Sequence, residues 1–400
     1  MRPKAALIND SAVVVSRGTI LAVGSADTII RRYPGHRVVR LENAVLMPGL
    51  VNLHTHLELP PILDAIRATK FPAWVINLIK AKKELTHNNY AAAVKTNIGT
   101  LIRTGTTTVG EICTHGISPT YLRKSGLRAK VFFEVIKMSP SSPQLTLPYL
   151  GKGGLVQFGV SPHTPYTVSE KVLQELKNRF HDSPVSLAMH VAESKDEIRL
   201  LQGKKSSLAE LYRLAGWDLS WAPSAVSSFD YLERIGLLSP HFLAVHAVQV
   251  TNRDIAIIRK SKVSIAHCPR SNKETGGGRM PLKKILDAGI GVGLGTDSLA
   301  SSPTLNMWDE MRYAYRIHHR DGITANEILT LATVGGAKAL GMGAETGSIE
   351  KGKKADLIAI PLPDKKTGDL YSDLLRETKS CIMTMINGKI LHLEKPREIQ

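Results

Sequence analysis

Four hundred residues, 43% hydrophobic and 22% charged, are too many for one small core and suit a large barrel with a smaller satellite domain. No stretch is apolar enough for a membrane helix, and the first residues lack a secretion signal. Cys113, Cys268 and Cys381 are too scattered for a disulfide framework or a CxxC zinc site, so a soluble protein of the reducing cytoplasm is expected.

The 52 basic and 35 acidic residues leave a net charge of +17. The basic residues are dispersed and aromatics make up only 5%, which argues against a nucleic-acid stacking platform. A solvated basic surface comes first among the readings, an anionic small substrate second.

In chain order, residues 12–16, 19–23 and 38–41 read as short β-like runs with turns at Gly18 and Gly24. The last part of the chain is similar. Residues 347–356 lead into an apolar run at 357–360, and 384–391 contains the hairpin pair Asn387-Gly388. Neither end buries much alone. The expectation is one small β-sandwich domain built from 1–48 plus 345–400, with 49–344 inserted.

The inserted part alternates strand and helix signals. Barrel strands are expected at 50–55, 107–112, 130–136, 156–161, 185–190, 242–245, 263–266 and 290–295. Most are apolar and β-branched without alternation, as for strands covered on both faces. Helices are expected at 170–180 and 280–288. The segment 203–237 is the least regular and reads as an extra helix and a loop. Eight strands with intervening helices predict an α/β fold, a (β/α)8 barrel of the TIM type.

Metal-capable side chains recur at the ends of these runs. His54 and His56 stand two apart behind the apolar run 44–51, so on a strand they share a face. Alone, such a pair fits two ordinary polar histidines equally well. However, His190 ends another run with Glu193 three residues on, His246 and His267 end two more, and Asp297 follows the last. In a parallel barrel those ends form the active face. His54, His56, His190 and Asp297 would hold one divalent ion, Zn²⁺ first and Fe²⁺ second. His246 would orient a water or receive its proton, and Glu193 would carry protons between water, substrate and leaving group.

The chain resembles the amidohydrolase superfamily. The segment 48–56 is similar to its first-strand motif; His190 with Glu193, His246, and 295–298 resemble the ligand, water-orienting and aspartate motifs of its mononuclear deaminase and chlorohydrolase branch. The absence of a lysine at the end of the fourth strand, 158–163, implies one metal rather than two. The resemblance implies hydrolytic removal of ammonia from an amino-purine nucleoside, and it adds Asp297 as an acceptor of the water's proton.

Finer matches at 54–59, 71–74, 267–272 and 305–312 resemble the aminodeoxyfutalosine deaminases of menaquinone biosynthesis. The segment 161–166 resembles the adenosine-type deaminase segment whose histidine touches the purine, which implies a substrate contact from His163; Trp74, Ser298 and Arg270 are the other expected contacts, the last pairing with a substrate carboxylate. Lys82, with Glu84 slightly out of register, stands where S-adenosylhomocysteine deaminases carry a ribose-binding glutamate. Other readings are an S-adenosylhomocysteine or methylthioadenosine deaminase, a guanine deaminase, a triazine chlorohydrolase, or a metal-free interaction protein on the same fold. No nucleic-acid or membrane partner is expected, and a homo-oligomer is left open.

Overall fold

The computed structural model describes residues 7–68, 70–138, 154–180, 183, 185–217, 225–364 and 367–394. The apolar run leading to His54 is two strands in two different sheets, divided at Gly49. Its first half, β3 (Ala44–Pro48), pairs outside the barrel; its second half, β4 (Leu50–Thr55), opens the barrel. A Cβ on Gly49 would lie 2.1 Å from the Thr107 hydroxyl, so only glycine lets the chain cross here.

The chain ends build two sheets. β1 (Ser11–Ser16) and β2 (Thr19–Ser25) form an antiparallel hairpin, while β3 joins β12 (Leu357–Pro361), β13 (Met383–Ile386) and β14 (Lys389–Leu393) in a four-stranded sheet of order β14-β13-β12-β3. Both hairpins turn on two residues of positive φ, Arg17-Gly18 and Asn387-Gly388, the backbone that matches strand twist. The ends also meet each other: the Ile20 N–H donates to Lys353 O at 2.8 Å and the Ala355 N–H to Gly18 O at 2.9 Å.

The run at 38–41 is not a strand. Val38 and Val39 are 56% and 42% exposed, and pairing with β12 begins only at Ala44. A helix, Ala26–Arg32, fills part of the preceding segment, and another, Leu370–Glu377, lies between β12 and β13.

The remaining strands are β5 (Thr106–Cys113), β6 (Arg128–Val135), β7 (Val156–Pro162), β8 (Leu187–Val191), β9 (Phe242–His246), β10 (Ser264–His267) and β11 (Val292–Leu294). With β4 they form an eight-stranded parallel sheet in sequence order. These are the expected barrel strands with ends shifted by one or two residues. The seam is closed where the Asp297 N–H donates to His54 O at 3.0 Å and Thr55 bridges Asp297 in parallel register.

Strands β4, β5, β8, β9 and β11 are buried throughout, because helices cover one face and side chains fill the other. Val51, Leu53, Ile112, Phe132, Ala188, Val245 and Ala266 form one of the buried clusters. Helix Glu170–Phe180 lies where expected, and that at 280–288 is shorter, Leu282–Asp287. The irregular segment carries two helices, Ala209–Ala215 and Ser228–Ile235; residues 218–224 lie outside the described ones.

Candidate active site

Four strand ends deliver the polar cluster. β4 ends beside His54 and His56, β8 carries His190, β9 ends at His246, and Asp297 follows β11. The chain turns sharply at three of these exits. Ala192, His246, Ala247 and Asp297 have φ values of 54°, 73°, 46° and 60°, a left-handed backbone that non-glycine residues adopt at a cost of about 1–3 kcal/mol. The turn at Ala192 leads directly into Glu193.

The imidazoles converge. The ring centroids of His54 and His56, and of His54 and His190, are 5.0 Å apart; those of His56 and His190 are 5.5 Å apart. Ligating atoms of His54, His56 and His190 lie within 4.8 Å of one another, and so do those of His54, His246 and Asp297. Asp297 Oδ1 is 3.4 Å from His54 Nε2 and 3.5 Å from His56 Nε2.

Neighbouring groups fix which nitrogens remain free. The Nδ1 of His190 lies 2.9 Å from the carbonyl of His163, so it is the protonated nitrogen and Nε2 keeps its lone pair. The Nδ1 of His246 lies 2.8 Å from Asn272 Oδ1, and its Nε2 is 3.6 Å from Glu193 Oε1. His54 is 1% exposed, yet among the described residues neither ring nitrogen has a hydrogen-bond partner. A dry imidazole with unused lone-pair capacity beside two others and a carboxylate is the chemistry of a divalent-ion ligand.

Burial sets the charge states. It lowers His54 and His246 to about 4 and His56 to about 3, so the rings are neutral at physiological pH. It pushes Asp297 up, but His54, His56 and His246 outweigh it and hold the carboxyl well below its usual range. Burial, then the charges of Asp297 and Glu197, raise Glu193 well above the ordinary carboxylate range. The two carboxyls are thus pushed in opposite directions, Asp297 towards the ionised form and Glu193 towards the protonated one, the division that acid–base chemistry needs.

Several supporting residues escaped the sequence reading. Ser271 Oγ donates to Asp297 Oδ2 at 2.6 Å. Glu197 accepts the Ala192 N–H at 2.7 Å, the Glu193 N–H at 2.8 Å and the Ser228 hydroxyl at 2.5 Å. Its signal was the Ser194-x-x-Glu197 pattern of a helix start: the Ser194 hydroxyl accepts the Glu197 N–H at 3.2 Å.

Glu134, near the end of β6, forms a third group with His163 and His190, and its signal was a lone glutamate in an apolar strand. Burial raises it, but His163, His56 and Lys82 outweigh that and hold it at about 2.

The proposed substrate contacts fare differently. His163 borders the cluster: its ring is 5.1 Å from that of His190, its Nδ1 is 2.8 Å from Thr167 Oγ1, and its Nε2 is 4.0 Å from Glu134. The Ser298 N–H donates to Asp297 Oδ1 at 2.8 Å, and its hydroxyl lies 3.2 Å from that of Ser301. Trp74 is packed against Phe71, its indole N–H donating to Ala300 O at 2.9 Å.

Arg270 faces elsewhere. Its guanidinium lies 5.8 Å from the Tyr313 ring centroid and 3.5 Å from Asp309 O, while Ser271 and Asn272 beside it reach Asp297 and His246. In the matched segment 54–59, Glu58 is occupied by the fold, accepting the N–H groups of Thr114, His115, Ile117 and Ser118.

Residues 45–391 match the model of the amidohydrolase family. The chain belongs to the amidohydrolase family. Among amidohydrolase relatives, it is 28% identical to the 5-methylthioadenosine/S-adenosylhomocysteine deaminase of Syntrophobacter fumaroxidans, over 98% of this chain and 89% of the other. The crystal structure of an adenosine deaminase from Xanthomonas campestris with bound zinc superposes with a TM-score of 0.83 at 26% identity, over 96% and 89% of the two chains. The fold of Helicobacter pylori aminofutalosine deaminase matches with a TM-score of 0.86 at 24% identity, over 97% and 96%.

Proposed function

We propose that this chain is a metal-dependent hydrolytic deaminase of an adenosine-like nucleoside. The observation that carries the reading is the buried convergence of His54, His56, His190 and Asp297 beside the pair Glu193–His246. The names of its amidohydrolase relatives support the substrate class.

His54, His56, His190 and Asp297 would hold one divalent ion, for which zinc is our choice, as in the Xanthomonas campestris structure. When bound, such an ion polarises its ligands and brings the pKa of a water to about 7. The rest falls to the chain. His246 Nε2 positions the attacking water, with Nδ1 held by Asn272. Asp297 accepts the water's proton. Glu193 gives its proton to the ring nitrogen next to the amino-bearing carbon; the proton on Asp297 then passes to the departing amine, and Glu193 takes up the proton of the new hydroxyl. The carbon gains an oxygen and ammonia leaves. His163, on the rim, is the side chain we assign to the purine.

For the substrate itself, aminodeoxyfutalosine is our first reading, supported by the motif matches at 54–59, 71–74, 267–272 and 305–312. Methylthioadenosine or S-adenosylhomocysteine is the second, favoured by the direction of the Arg270 guanidinium, which lies by Tyr313 and Asp309 O. We further read 1–48 with 345–400 as one composite domain. The three cysteines, all buried and unpaired, fit a reducing compartment; among the described residues, no helix is long and apolar enough to cross a membrane.

The test is ammonia release from aminodeoxyfutalosine, methylthioadenosine, S-adenosylhomocysteine and guanine, with metal content measured on the same protein. Turnover of the nucleosides alone supports the class, and their ranking chooses between the two substrates. No ammonia from any of them, with the metal present, overturns the proposal.

A further inference from the structure

Outside the metal cluster, a groove of about 580 Å³ runs between helix Pro269–Glu274, helix Met307–His318 and helix Leu370–Glu377. Its volume is in the range of small-molecule sites. Tyr313 is one of the residues that line it. Arg316, Arg270 and Lys273 place their charged groups 4.8, 5.8 and 5.9 Å from that one ring centroid.

The local acids do not balance these charges. Asp309 is taken by Arg312 at 2.5 Å. Glu274 is shared between Arg67 at 3.0 Å and Lys273 at 3.3 Å. Among the described residues, the Arg316 side chain has neither an ion pair nor a hydrogen bond, and the Arg270 guanidinium reaches only the carbonyl of Asp309. Three cations drawn to one ring repel each other, and a cation–π contact at an exposed site returns only about 0.5–1 kcal/mol each. Two planar guanidiniums and an ammonium around an open groove match the oxygens of a multiply charged anion.

We propose that this groove is a second ligand site, separate from the metal cluster, that binds a small oligophosphate anion between Arg270, Lys273 and Arg316 over Tyr313. Occupancy bears on the metal cluster through one short helix. Residues 269–274 present Arg270 and Lys273 to the groove while Ser271 holds Asp297 and Asn272 holds His246. An anion clamping the outer side of that helix restrains the inner side.

The test uses calorimetric titration of the full-length, metal-bearing protein with inorganic pyrophosphate at low salt, with no nucleoside present, so its result does not depend on the deaminase reading. Wild type should bind one pyrophosphate per chain. The double variant Lys273→Gln/Arg316→Gln should lose affinity by about tenfold or more, the scale of a charged hydrogen bond.

The control Lys95→Gln/Lys351→Gln removes the same charge at exposed positions elsewhere and should bind as wild type does. Hydrogen exchange of residues 269–274 should slow when pyrophosphate is added to wild type and stay unchanged in the groove variant. Absence of saturable binding, equal loss in both double variants, or full binding in the groove variant would each overturn the proposal. The last result would place the anion at the metal.

Discussion

Ser271 donates its hydroxyl to Asp297 Oδ2 at 2.6 Å, leaving Oδ1 as the oxygen that faces His54 and His56. The Ser298 N–H reaches Oδ1 from behind at 2.8 Å, so both carboxylate oxygens are oriented before any ligand arrives. Such outer partners govern affinity. Ser271→Ala should therefore weaken metal binding by about 10- to 100-fold, with a matching loss of turnover at limiting metal. Titration of the metal-stripped variant with zinc checks this; an unchanged affinity would make Ser271 a packing residue only.

The metal assignment itself predicts about one divalent ion per chain. His190→Ala and Asp297→Ala should lose metal and activity together. His163→Ala, outside the proposed ligand set, should keep the metal. Elemental analysis of the three purified variants decides, and full occupancy in either of the first two would sink the ligand set.

Glu193 and Glu197 separate chemistry from positioning. Glu193→Gln removes the transferable proton, which burial favours on the carboxyl, and should cost about 10²–10⁴-fold in kcat while metal content stays unchanged. Glu197 touches the reaction only through the turn it holds by the Ala192 and Glu193 N–H groups. Glu197→Gln should lower kcat by about tenfold, the worth of one misplaced hydrogen bond, with little change in KM or metal content. If Glu197→Gln loses the metal or fails to fold, its role is structural.

Much of this was legible because barrel physics writes itself plainly. Strands buried on both faces lose their alternation, and metal-capable side chains recur at their C-terminal ends, so His54, His56, His190, His246 and Asp297 stood out together. What stayed hidden depends on long-range pairing. That the strand pairing with β12 is 44–48, and that 38–41 is no strand, was set by a partner hundreds of residues away. Glu134, Ser271 and Asn272 carry no local mark of their partners: each is an ordinary polar residue until the barrel closes. Arg270 shows the reverse. One residue before Ser271 in a helix is about 100° away around its axis, so a cation adjacent in sequence to site residues faces a different groove.

Glu310 gives a pH dependence that can be signed. It is fully buried and accepts the Arg270 N–H at 3.0 Å through Oε1, while Oε2 has no partner among the described residues. Burial, set against the Arg270 N–H and charge and added to by Asp297 and Asp309, pushes its carboxyl from 4.5 up to about 8. The folded state thus holds a proton that the unfolded state releases above pH 4.5. Its contribution is complete below that pH and is lost as pH rises towards 8. Glu310→Gln keeps the acceptor for Arg270 and removes the titration. Its stability advantage over wild type should be near zero at acid pH and grow to a few kcal/mol, roughly, by pH 8. Urea unfolding of both proteins across that range measures it. Parallel curves would mean that Glu310 is ionised in the fold at no cost.

Arg270 separates the two substrate readings. If its guanidinium pairs with a benzoate, Arg270→Ala should cost about 2–3 kcal/mol in kcat/KM on aminodeoxyfutalosine and little on methylthioadenosine. The structure gives the guanidinium other company, 5.8 Å from the Tyr313 ring centroid and 3.5 Å from Asp309 O, and gives its backbone N–H to Glu310. The expected outcome is therefore a small loss of similar size on both nucleosides, passed through helix Pro269–Glu274 to Asp297 and His246. Steady-state kinetics of Arg270→Ala on the two substrates separates the cases. A loss confined to the carboxylate-bearing nucleoside would return Arg270 to the substrate, and would require the side chain to swing from Tyr313 towards the barrel mouth when that nucleoside binds.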